Sequence, residues 1–140
     1  MRFYPQILNE KQHKILAKLG FLLDFSCYLG GGTALALQLG HRTSLDFDFY
    51  TSRKFDNLRL LQQFRDAFDA VEIGENLPAD TLQLNVSGIN VSVFYYPYKL
   101  IDKLIEFPPI KMASLTDIAA MKVAAVVQRA KQRDLLTHFI

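Results

Sequence analysis

Two aspartates one residue apart, Asp46 and Asp48, stand in the segment Ser44-Leu45-Asp46-Phe47-Asp48-Phe49. In an extended strand successive side chains alternate between the two faces of a sheet, so Leu45, Phe47 and Phe49 share one face and the two carboxylates share the other. With no basic residue between them, the carboxylates repel each other unless a cation lies there. Hard divalent ions such as magnesium take carboxylate oxygens and keep positions open for phosphate oxygens. Asp46 and Asp48 are therefore candidate metal ligands and catalytic residues. A complementary half lies just upstream, in Tyr28-Leu29-Gly30-Gly31-Gly32-Thr33. Gly31, Gly32 and Thr33 bring bare backbone N–H groups to the start of a helix, where a phosphate can approach closely. Together these residues suit nucleotidyl transfer. A metal at the acidic pair would bridge triphosphate oxygens and steady the charge on the departing pyrophosphate.

The elements between the two halves must aim them at one spot. Ala34-Leu35-Ala36-Leu37 is apolar nearly all round, which predicts a short buried helix from Thr33 to Leu39 ended by Gly40. A glycine run alone marks many tight turns, and an Asp-x-Asp pair alone often lies on an exposed strand face. The order of strand, Gly-Gly-Thr, buried helix and Asp-x-Asp strand is what carries the chemistry. His41 and Arg42 follow the helix, and the simpler reading is that they complement its dipole rather than face a nucleotide.

Upstream, Asn9 caps a first helix with Gln12 in the capping-box position, Ile15, Leu16 and Leu19 form its apolar stripe, and Gly20 suits its end. Phe25 to Leu29 is expected as the first strand. Downstream, Asp56 caps a helix with Leu58, Leu60, Leu61, Phe64 and Phe68 as its buried stripe, Val71 to Ile73 forms a strand, and Asn76 to Asp80 a loop. Thr81 to Val86 and Ile89 to Tyr95 alternate around Ser87-Gly88 as a hairpin that Pro97 closes. Residues 99–112 are mixed, with Pro108-Pro109 marking a bend. Ser114-Leu115-Thr116-Asp117 opens a helix running to about Arg129, on which Lys122 and Arg129 share a stripe. Residues 132–140 are helical too, continuous or bent, and the pattern ends without a cap, as in a minimal or shortened version of a longer fold.

The chain has 140 residues, half of them hydrophobic, enough for one compact domain over residues 1–140. A net charge of +2 is too small to argue for nucleic acid binding by itself. The single Cys27 excludes an intrachain disulfide and sits in an apolar run, which predicts a buried thiol in a reducing, cytoplasmic setting. No segment has the roughly 20 apolar residues of a membrane span, and the N-terminus is unlike a signal peptide. The cluster Tyr95, Tyr96 and Tyr98 could stack on bases, but packing is the commoner use of such a group.

Gly31-Gly32-Thr33 followed by Asp46-x-Asp48 resembles the signature of the polymerase-β-like nucleotidyltransferase superfamily. The fuller string Gly-Gly-Thr-Ala-Leu…Gly-His-Arg-x-Ser-x-Asp-x-Asp-Phe resembles its abortive-infection toxin branch, the AbiEii/AbiGii-type toxins. Asp117-Ile-Ala-Ala-Met-Lys122…Arg129…Arg133-Asp134 is similar to the later motif of that family, so the likeness runs from about Tyr28 to Asp134. The resemblance implies that Lys122 contacts nucleotide phosphates, that Arg129 stabilises charge nearby, and that Asp134 is catalytic as a base on the acceptor. It also implies a nucleoside triphosphate donor, magnesium, an RNA (tRNA) or protein hydroxyl as acceptor, and a cognate antitoxin. Two positions depart from the pattern. The strand Ile89 to Phe94, where a third carboxylate is usual, offers only Ser92, and Thr137 stands where a second acid follows Arg133-Asp134.

The expected fold is α+β, a small mixed sheet of four or five strands with helices packed around it. The expected function is a metal-dependent nucleotidyltransferase of toxin type. The alternatives are a degenerate nucleotide-binding or partner-binding domain of the same fold, and a structural domain whose acids are merely exposed.

Overall fold

The computed structural model describes residues 2–44, 46–75 and 78–138, with side chains described as far as Lys131. Its frame is a mixed seven-stranded sheet in the order β3-β4-β5-β2-β1-β7-β6. The strands are β1 (Tyr28–Gly30), β2 (Phe47–Thr51), β3 (Val71–Ile73), β4 (Thr81–Val86), β5 (Ile89–Tyr95), β6 (Ile105–Phe107) and β7 (Ile110–Met112). The helices are α1 (Glu10–Leu16), α2 (Gly31–Leu39), α3 (Asn57–Ala67) and α4 (Leu115–His138).

Alternation along the strands divides the sheet into an apolar and a polar face. Phe47 and Phe49 of β2 pair in register with Val91 and Val93 of β5. These four, with Leu82, Leu84 and Val86 of β4, are buried in one core. Helix α3 adds Leu60, Leu61 and Phe64, and Phe64 meets Phe21 edge-on at 5.0 Å. Asp56 caps α3 as expected, accepting from the Leu58 N–H at 3.0 Å. Leu58 itself is 76% exposed and does not belong to the stripe.

The capping box at Asn9 forms with both reciprocal bonds at 2.8 Å. It also sets the site, since the buried Gln12 side chain, whose Oε1 serves the box, donates from Nε2 to the Ser44 carbonyl, two residues before Asp46. Gly20 starts a 3-10 helix, Gly20–Phe25, rather than ending α1. Phe25 consequently lies in that turn, and the first strand is only Tyr28–Gly30. The apolar run from Phe21 reads like a strand because both its 3-10 turn and the strand are buried. The β4–β5 hairpin has the expected bounds, whereas β6 and β7 form a second hairpin around Pro108-Pro109 that the mixed composition concealed. Leu45 and Asn76, named above on a strand face and in a loop, lie outside the described residues. Cys27 is buried, and burial pushes its thiol up to about 12, as suits an inert core cysteine.

The last helix is continuous from Leu115 to His138. Its start is fastened by Asp117, a buried carboxylate that accepts from the N–H groups of Ile101 and Asp102 at 2.7 and 3.0 Å and from the Ser114 hydroxyl at 3.0 Å. Burial acts to raise the Asp117 pKa, but these three donors outweigh it and hold the carboxyl below its ordinary value. A carboxyl depressed in the fold contributes stability that is present above its unfolded pKa of about 3.9 and is lost as pH falls through the folded value. Asp117→Ala should therefore cost about 2–3 kcal/mol near neutral pH by leaving two N–H groups unpaired. Denaturant midpoints should also show a weaker fall in stability below about pH 4 than in the parent.

Candidate active site

The chain enters the site through β1, whose Gly30 pairs with Asp48 of β2. Each of the three glycines meets a different constraint. A Cβ on Gly30 would fall 2.8 Å from the Tyr50 ring, so this glycine lets that ring lie across β1. Gly31 has φ +62°, and a Cβ there would stand 3.0 Å from Asp48 Oδ2. The Gly32 Cβ position is 2.5 Å from Arg42 Nη2, the mobile end of a long side chain. The cradle at the start of α2 is thus in direct contact with one carboxylate and one guanidinium. Gly31→Ala should destabilise by about 1–2 kcal/mol through left-handed backbone strain. Gly32→Ala should keep the melting temperature and displace Arg42, so paired melting and nucleotide-binding measurements separate the two.

Asp48 lies within β2 and Asp46 immediately before it, exposed. The loop carrying Asp46 is held from below. Thr33 is buried, and its hydroxyl donates to the Asp46 carbonyl and accepts from Ser44 Oγ at 2.6 Å. The Thr33 side chain, expected at the phosphate, is therefore committed to positioning the acidic loop, and only its backbone is left for an anion. β5 runs parallel beside β2 with Ser92 in register with Asp48, on the same polar face. Among the described residues no basic group forms an ion pair with Asp46 or Asp48. Burial and then the Asp46 charge raise the Asp48 pKa. Two uncompensated carboxylates of this kind fit a divalent cation. Among the described residues no group of three or more His, Cys, Asp or Glu side chains could hold one, so water and a bound anion must complete any coordination here.

Three clefts meet at this point. The largest, about 570 Å³, lies between α2, the tyrosines Tyr50, Tyr96 and Tyr98, and α4, and includes Gly31, Gly32, Arg42 and Lys122. A groove of about 510 Å³ runs over the polar face of the sheet, lined by Asp46, Asp48, Ser92, Gln83, Asn85, Asn90 and Glu72. A smaller cleft, lined by Gly32, Thr33, Arg42, Thr43, Ser44, Asp46 and Asp48, joins the two by sharing Gly32 and Arg42 with one and both aspartates with the other.

A family model described as nucleotidyl transferase AbiEii toxin, type IV toxin–antitoxin system, matches residues 15–136. The chain belongs to the AbiEii nucleotidyl transferase toxin family. An uncharacterized protein of Aquifex aeolicus (strain VF5) is 36% identical, over 91% of this chain and 63% of its own. Two crystal structures from Helicobacter pylori share the fold. A candidate nucleotidyltransferase is 20% identical with a TM-score of 0.57, covering 82% of this chain and 59% of that one. JHP933 is 19% identical with a TM-score of 0.55, covering 86% and 57%. This chain thus spans about three-fifths of the length of the relatives it matches.

In this AbiEii-family chain the structure brings Gly31, Gly32, Asp46, Asp48 and Lys122 to connected clefts but leaves Arg129 outside them. Gln128, one residue earlier on α4, takes the cleft-facing place, and Arg129 is exposed. Asp134 and Thr137 lie on α4, and their side chains fall outside the described residues. Arg42 was assigned above to the helix dipole, yet it lines two of the clefts. Its adjacency to the Gly-Gly turn is a matter of loop geometry that spacing along the chain does not reveal. Of the cluster Tyr95, Tyr96 and Tyr98, Tyr96 and Tyr98 pack on each other as expected, whereas Tyr95 lies under Lys54; Tyr50 joins the pair, and these three rings wall the largest cleft. Burial, then Asp48 and Tyr96, push the Tyr50 hydroxyl up to about 12, so it stays protonated beside the carboxylates. Among the described residues no helix is long and apolar enough to cross a membrane.

Proposed function

We propose that the chain is a metal-dependent nucleotidyltransferase of toxin type that moves a nucleotide from a nucleoside triphosphate to an RNA or protein hydroxyl. The observation that supports this most is the junction of two large clefts at Asp46 and Asp48 through the Gly32–Arg42 neck. The donor occupies the basic cleft, with its phosphates at the backbone of Gly31, Gly32 and Thr33. Arg42 and Lys122 neutralise phosphate charge there, and their approach to the anion is what fixes its orientation. Asp46 and Asp48 would hold magnesium, which when bound supplies positive charge to the triphosphate oxygens. The acceptor hydroxyl enters along the polar groove past Ser92 and reaches the α-phosphorus from the side opposite the leaving group. Its oxygen forms the new bond as the bond between the α- and β-phosphates breaks, and pyrophosphate departs with its negative charge. Asp134 takes the hydroxyl proton, a role supported by the family likeness.

Membership of a toxin family supports a cognate antitoxin as partner and a cytoplasmic site of action, where triphosphates and RNA are found. A second reading, a nucleotide-binding domain without transfer activity, is favoured by one observation: Ser92 holds the register position beside Asp48 where a third acid would sit. The deciding experiment is incubation with each labelled nucleoside triphosphate, magnesium and total cellular RNA or protein. Label entering one fraction, and lost in Asp46→Asn, is the expected result. Nucleotide binding with no label in either fraction would favour the second reading.

A further inference from the structure

The largest cleft extends well beyond the glycines and cations that suit a triphosphate, and its far part has a different chemistry. One wall is aromatic: Tyr96 meets Tyr50 edge-on at 5.9 Å and leans at 59° against Tyr98 at 4.8 Å, and Tyr98 is 64% exposed. The facing wall is one side of α4, where Ile118, Met121, Lys122, Ala125 and Gln128 recur at helical spacing. Ala124 and Ala125 have little bulk, which leaves room between the helix and the tyrosines. Among the described residues no carboxylate lines this cleft, and Gln128 is its one amide side chain. Gln128 lies six residues beyond Lys122, about 9 Å along the helix axis. That spacing suits a ligand with phosphate at one end and a hydrogen-bonding edge at the other.

We propose that this cleft receives the base of the nucleotide, stacked on Tyr96 with Tyr98 against its edge, and that Gln128 is the residue that selects which base is accepted. The proposal rests on the assignment of Gly31, Gly32, Arg42 and Lys122 to the triphosphate. Aromatic stacking is tolerant of sequence because every base has a π-face. The tyrosines therefore give affinity without choice, and choice falls to Gln128, whose amide presents a donor and an acceptor side by side. A carboxylate in its place would present acceptors alone, and guanine has two adjacent donors on its pairing edge. Gln128→Glu should consequently shift preference toward the guanine nucleotide.

The test is calorimetric titration of ATP, GTP, CTP, UTP and inorganic tripolyphosphate with magnesium. The parent should distinguish the four nucleotides by tenfold or more, and Gln128→Leu should bring them within about threefold of one another. Tyr96→Ala should weaken all four by roughly tenfold to a hundredfold and leave tripolyphosphate unchanged. If Tyr96→Ala does not fold, the exposed Tyr98→Ala serves instead, with a loss of at least threefold expected for every nucleotide. Tripolyphosphate binding with no base preference in the parent, or with a preference that Gln128→Leu preserves, would overturn the base site while leaving the triphosphate site standing. Failure of tripolyphosphate itself to bind would instead overturn the underlying triphosphate assignment.

Discussion

Replacing Asp48 with Asn is expected to reduce nucleotide transfer on the order of a thousandfold while leaving the fold as stable as before, or slightly more so. The loss follows from position. Asp48 faces the glycine cradle so closely that a Cβ on Gly31 would lie 3.0 Å from its Oδ2, so it is the carboxylate best placed to bind an ion shared with the phosphates. The stability follows from electrostatics, because Asp48 carries a raised pKa from burial and from the charge of Asp46. Its ionised form is thus a burden on the metal-free fold above the ordinary carboxylate range. Removing that charge should leave the melting temperature unchanged or raise it by up to about 3 °C in chelator. Sign and pH go together: the parent should gain stability relative to Asp48→Asn as pH falls and Asp48 is protonated. A variant that unfolds would show instead that Asp48 is structural.

Ser92→Asp should act in the opposite direction. Ser92 is buried beside Asp48 in the register of two parallel strands and opens onto the groove shared with Asp46. A third carboxylate there should tighten magnesium binding at least tenfold by adding a hard oxygen ligand. With Asp134 as the base, the transfer rate at saturating magnesium should change by less than about threefold, and a hundredfold gain would show instead that a base was missing beside Asp48. In chelator the same variant should be less stable than the parent, since three carboxylates then repel one another. Tighter metal binding with an unchanged rate would place the acceptor base on Asp134, and Asp134→Asn should then abolish transfer.

Much of this arrangement is legible in the sequence because its signals are local. The alternation of Phe47, Asp48 and Phe49, the Asn9–Gln12 box and the Ser87-Gly88 hairpin each depend on residues a few positions apart, and each forms as its pattern predicts. The pairing of Ser92 with Asp48 was also accessible, since two alternating strands that share an apolar face must align their polar residues. What is lost is whatever depends on the path of a loop or on distant packing. Arg42 folds back onto Gly32 only because the turn after α2 brings it there, and Thr33 is drawn to the Asp46 carbonyl by the same turn. Residues 105–112 have too short a pattern to announce two strands. Their pairing is completed by β1, through the register of Leu29 with Met112. On α4 Lys122 lines the cleft, but Arg129, seven residues on, does not, and Gln128 is the residue that faces it there.

The most direct test of the account is titration of a nucleoside triphosphate into the protein, once with magnesium and once with a chelator, each repeated with Asp46→Asn. The account predicts saturable binding with magnesium that weakens at least tenfold in chelator and is reduced to that weak level in Asp46→Asn. Equal affinity in all four titrations would contradict it, because the acidic pair would then have no part in holding the nucleotide.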